Sequence, residues 1–152
     1  MNSFPQDKEA RLVELLGQKL ELFGSIREQT REQTELLAAD DMDGFDRAID
    51  ARQETIEKIN GLHQELDSLM QSYVSFSNSP GGKKIKTIEA VLLKIDKLVG
   101  ECVALNDKNT VTAKEKTEGY IKQIGDLSVR RKSLGKYTLD VPNNPELFDK
   151  MT

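Results

Sequence analysis

Tryptophan is absent from this sequence, and cysteine and histidine occur once each, as Cys102 and His63. A single thiol excludes an internal disulfide and any zinc site built from several cysteines. A single imidazole excludes a histidine-rich metal centre and leaves little for histidine-based catalysis. Aromatic residues make up 5% and hydrophobic residues 37% of the 152 positions, against 32% charged. That balance suits long amphipathic helices with narrow apolar stripes better than a sheet-built enzyme core. No apolar run approaches the ~18 consecutive residues a membrane span needs, so no membrane insertion is expected. The segment Met1–Asp7 lacks the basic-then-apolar pattern of a secretory signal. The expectation is a reduced, cytoplasmic protein.

What is present is charge, unevenly placed. Residues 1–76 carry 16 acids and 8 bases, whereas residues 77–152 carry 10 acids and 14 bases. The overall charge of −4 therefore divides into −8 and +4, and opposite signs favour halves that pack on each other. A net acidic chain is a poor nucleic-acid binder, so no nucleic-acid partner is expected.

Helical periodicity divides the chain into three segments. The first, about 7–38, carries a seam of alternating four and three steps through Leu12, Leu16, Lys19, Phe23, Ile26, Thr30, Gln33 and Leu37. The second, about 44–76, follows an acidic breaker in which Asp43 is the expected N-cap. Its seam runs through Phe45, Ile49, Arg52, Ile56, Ile59, His63, Leu66, Met70 and Tyr73. Ser77–Gly82 stops it. The third, about 83–134, carries Ile85, Ile88, Leu92, Ile95, Val99 and Cys102, turns polar over Asn106–Glu118, and resumes with Tyr120, Ile124, Leu127 and Leu134. The expectation is an all-α, antiparallel up-down-up three-helix bundle or coiled coil over 1–134, with a longer third helix and an irregular C-terminal tail over 135–152.

Length adds a constraint. At 1.5 Å per residue the first two helices span about 50 Å each and the third about 75–80 Å, so about 25 Å of the third must overhang or fold back. The overhang is expected to start near Lys116–Gly119. The same alignment places Thr30, Arg52 and Asn106 at one height, where they form an expected polar layer that limits register slip.

Sites of chemistry are hard to find. Gly81-Gly82-Lys83 lacks the earlier glycine, the following Ser or Thr and the preceding strand of a phosphate loop. Asp41, Asp43 and Gly44 match part of a calcium loop, but Ala39 and Asp50 stand where its first and twelfth ligands belong. His63 reads as a packed neutral imidazole and Cys102 as a small core residue. The tandem Arg27-Glu28-Gln29-Thr30 and Arg31-Glu32-Gln33-Thr34 reads as charge pairs on a solvated face. No enzyme is expected, and no cofactor or metal.

Binding surface remains. Tyr120, Ile121, Ile124, Leu127 and Leu134 form an apolar stripe on the expected overhang, and Tyr137, Leu139, Val141, Leu147 and Phe148 add apolar side chains in the tail. Either the stripe is covered in cis, by a bend of the third helix or by the tail, or it takes a partner helix in trans. A homodimer would mask it equally well.

The stretch Leu36-Leu37-Ala38-Ala39-Asp40-Asp41-Met42-Asp43-Gly44-Phe45, followed by Ala51-Arg52-Gln53-Glu54-Thr55-Ile56-Glu57-Lys58-Ile59, resembles bacterial flagellar export chaperones of the FlgN type. Tyr137 followed by Leu147-Phe148-Asp149-Lys150 adds to the likeness. The resemblance implies a non-enzymatic chaperone that binds hook–filament junction proteins, prevents their premature assembly and delivers them to the flagellar export gate. Client contact in that family comes mainly from the C-terminal helical region. The implied client-binding residues are Tyr120, Ile121, Ile124, Leu127, Leu134, Tyr137 and Phe148, meeting a terminal amphipathic helix of the client. The related FliT-type chaperones of the filament-cap protein share the acidic turn and the basic-Gln pattern. The competing class is a coiled-coil spacer or oligomerisation module with no client.

Overall fold

The computed structural model describes residues 3–124, with side chains through Gly119. Three helices form an all-α bundle: α1 (Gln6–Ala38), α2 (Met42–Ser77) and α3 (Lys86–Ile124). Their lengths of 33, 36 and 39 residues make α3 the longest, about 58 Å. The third helix starts three residues later than the periodicity suggests, and it runs through Asn106–Glu118 and Gly119 without a break. The expected continuation to Leu134 and the tail over 135–152 lie outside the described residues.

The turn between α1 and α2 is short because α1 ends in a Schellman motif. Asp41 N–H donates to the Leu36 carbonyl at 3.0 Å and Asp40 N–H to the Leu37 carbonyl at 3.1 Å. Asp40 takes the left-handed position at φ 57°, where glycine is commoner. The N-cap of α2 is Asp41 and not Asp43: its carboxylate accepts from Gly44 N–H at 2.9 Å. The helix starts two residues earlier than expected, and only the residue three before Gly44 can reach that amide. The α2–α3 connection closes over Gly82, whose N–H donates to the Ser79 carbonyl at 2.9 Å. A Cβ on Gly82 would collide with the Phe76 carbonyl, so this position requires glycine.

The main core lies toward the α2–α3 connection. Leu12, Leu15, Leu16, Phe23 and Ile26 of α1 meet Ile56, Ile59, Leu66 and Tyr73 of α2 and Ile88, Ile95, Leu98, Val99 and Cys102 of α3. Phe4, which the periodicity misses because it precedes the helix, is buried at this end. Its ring stands edge-on to Tyr73 with centroids 5.7 Å apart and lies 5.5 Å from Phe76. Tyr73 Oη accepts from Ile85 N–H at 2.9 Å and donates to Glu89 at 2.7 Å, pinning the start of α3. A second, smaller core at the opposite end contains Leu37, Phe45, Ile49 and Ala113.

The helices are not equivalent. α1 packs closely on both partners, but among the described residues no Cα of α2 comes within 8 Å of one in α3. The acidic and basic halves therefore meet mainly through α1. Two ion pairs tie α1 and its turn to α3, and only one follows the net charges. Lys116 Nζ pairs with Asp40 at 2.5 Å in the expected sense, while Arg27 pairs with Glu101 at 2.9 Å in the opposite one.

Candidate functional site

The buried stripe of α3 continues at helical spacing from Cys102 through Asn106, Asn109, Ala113 and Thr117. Before Asn106 every buried position of this helix is apolar, and after Cys102 only Ala113 is. Burying an Ile, Leu or Val side chain stabilises by about 1.5–3 kcal/mol each, and one methyl group by about 0.8 kcal/mol. The first half of α3 is thus held by apolar burial and the second mainly by hydrogen bonds, worth a net ~1 kcal/mol each.

The polar layer between the two cores exists. Arg52 is 1% exposed and Thr30 fully buried; the Arg52 guanidinium donates to Thr30 Oγ1 at 3.1 Å. Burial pulls the Arg52 pKa down to about 10 despite the opposing influence of Cys102. Asn106 is buried as expected, but the α3 residue that joins the layer is Asn109, one turn further on. Its amide donates to the Thr30 carbonyl at 3.0 Å, and its Oδ1 accepts from Thr34 Oγ1 at 2.7 Å. Sequence reasoning missed Asn109 because it lies in the polar stretch Asn106–Glu118, and Thr34 because it flanks the α1 seam beside Gln33. Gln33 Nε2 and Asn106 Nδ2, both in residues 1% exposed, find no hydrogen-bond partner among the described residues. The tandem Arg-Glu-Gln-Thr repeat is accordingly not one solvated face. Arg31 does pair with Glu28 at 2.9 Å, but Thr30 and Gln33 point into the layer and Arg27 reaches α3.

His63 and Lys19 lie at the other distinctive place, a groove of about 240 Å³ where α2 and α3 diverge over α1. Leu16, Leu66, Met70, Leu92, Ile95 and Val99 line it with Asp67 and Asp96. Of the half-buried seam residues, Lys19, His63, Met70 and Leu92 face this gap, while Ile85 lies just ahead of α3 and away from the gap. Burial lowers the His63 pKa, Lys19 adds to that effect and Asp67 opposes it, so the imidazole is neutral at pH 7. Burial also lowers the Lys19 pKa, against the pull of Asp67 and Asp96. Nothing in this groove pairs a nucleophile with a base and an orienting group. Cys102 is fully buried, its Sγ lies 3.6 Å from the Phe23 carbonyl, and burial pushes its thiol up to about 11. Such a thiol is unreactive at neutral pH.

Three of the residues singled out for client binding fall in the last turns of α3. Lys116 pairs with Asp40 in the α1–α2 turn, and α3 continues to Ile124. Tyr120, Ile121 and Ile124 belong to this final stretch of helix, but their side chains lie outside those described; Leu127, Leu134, Tyr137 and Phe148 lie outside the described residues altogether. No described helix is long and apolar enough to cross a membrane. No protein-family model matches the chain, and neither a curated protein nor a solved structure is similar to it.

Proposed function

We propose that this chain is a non-enzymatic chaperone that holds an amphipathic helix of a client against the last turns of α3 and the sequence beyond it. By its resemblance to FlgN-type chaperones, the client is a hook–filament junction protein, kept unassembled in the cytoplasm and handed to the flagellar export gate. The observation that carries the reading is the length mismatch: the α1–α2 hairpin ends at Asp40, level with Lys116, and α3 runs on to Ile124. Tyr120, Ile124 and Leu127 stand at i, i+4 and i+7 in the sequence. A helix-in-groove contact reads such i, i+4, i+7 anchors.

The test is co-expression with a tagged junction protein. Replacing Ile124 and Leu127 together by Asp should abolish co-purification while leaving the helical circular dichroism unchanged. Retained co-purification would move the site elsewhere. Concentration-dependent self-association with no junction-protein binding by the unmodified chain would replace the reading with a coiled-coil spacer.

A further inference from the structure

The two halves of α3 rest on the same α1–α2 hairpin through different chemistry. Residues 88–102 bury Ile88, Ile95, Leu98, Val99 and Cys102, whereas residues 106–117 bury Asn106, Asn109, Ala113 and Thr117. Three polar links hold the second half down: Thr34 to Asn109, Asn109 to the Thr30 carbonyl, and Lys116 to Asp40. Each of these groups is solvated by water when released, so separating them forfeits little. Two buried amide nitrogens, Gln33 Nε2 and Asn106 Nδ2, have no hydrogen-bond partner among the described residues in the closed arrangement and gain water on opening. The hairpin beneath does not depend on α3 for its own closure, because the Schellman turn and the Asp41 cap lie within it.

We propose that α3 is a two-part helix whose second half, 107–119, lifts off the hairpin as one cooperative unit, hinged near Asn106 and releasing Asn109 from Thr30 and Thr34. Residues 88–104 stay packed during this motion. The opening separates Ala113 from Leu37, Phe45 and Ile49, with which it packs in the closed state. This conformational device goes beyond the client-binding reading and does not depend on it.

Native-state amide hydrogen exchange on the full chain tests the device. Amides of 107–119 should share one opening constant and show protection at least ~100-fold below that of 88–104, with a step near Asn106. Thr34→Ala removes a link to Asn109 from the α1 side. It should accelerate exchange across the whole of 107–119 by a common factor of about five, with 88–104 unchanged. A smooth gradient rising toward Ile124 would mean simple end fraying and would overturn the proposal. Equal protection in both halves, or a Thr34→Ala effect confined to the residues around Asn109, would overturn it as well.

Discussion

One helix, α3, crosses the hairpin twice over in chemical terms. Its first half offers isoleucine, leucine, valine and cysteine to the core, and its second offers asparagine, alanine and threonine to the same two partners. The first half fixes where α3 sits, because apolar burial there has no alternative in water. The second half fixes the register, because Asn109 can satisfy both the Thr30 carbonyl and Thr34 Oγ1 at one position only. The difference teaches that a continuous helix can anchor at one end while staying available at the other.

Mutations at matched depths sharpen this contrast. Phe23→Ala, in the first region, should lower unfolding free energy by about 3–5 kcal/mol in urea denaturation. Arg52→Met should raise stability by about 2 kcal/mol, since a buried guanidinium gives way to an apolar side chain that joins the two cores. Loss of stability on that substitution would mean the layer contributes energy as well as register. Ala113→Gly, in the second region, should cost about 1 kcal/mol, little more than its helix-propensity difference. A loss near that of Phe23→Ala would erase the distinction between the halves.

The smallest effect is electrostatic. His63 faces Lys19, Asp67 and Asp96 in the groove, and its folded pKa lies below the ordinary 6.5. The unfolded chain therefore takes up a proton first as pH falls through 6.5, and stability drops in that window. His63→Gln removes this component, so the Tm decrease between pH 7.5 and 5.5 should be smaller in the variant than in the unmodified protein. Equal decreases would mean that His63 is solvated in the fold.

The three stripes were legible in the sequence, down to the burial of Thr30, Arg52 and Asn106, although Asn109 and not Asn106 bonds into the layer. Their legibility has a simple cause: periodicity reports which face of a helix is buried. It does not report the distance between helices. Lys19, His63, Met70 and Leu92 fit the seams as well as their neighbours do, yet they border a groove because α2 and α3 diverge. Asn109 stayed hidden for another reason. In a stretch as polar as Asn106–Glu118, a buried asparagine differs from a solvated one only in its spacing from Cys102. Asp41 was displaced by Asp43 as the expected cap because Asp40, Asp41 and Asp43 crowd one turn, and only the hydrogen-bonded start of α2 tells them apart. Of the candidate client-binding site, the sequence supplies the apolar spacing and the structure supplies the point at which α3 outruns its hairpin.

The absence of tryptophan makes the central comparison directly measurable. Leu93 and Val111 are 72% and 56% exposed, one in each half of α3, so a reporter at either disturbs little packing. Urea unfolding of Leu93→Trp and Val111→Trp, each followed by its single indole fluorescence, should give two midpoints. The signal from position 111 should change at lower urea than the signal from position 93 and the bulk of the far-ultraviolet circular dichroism. Coincident transitions at both positions would contradict the division of α3 into an anchored and a separable half.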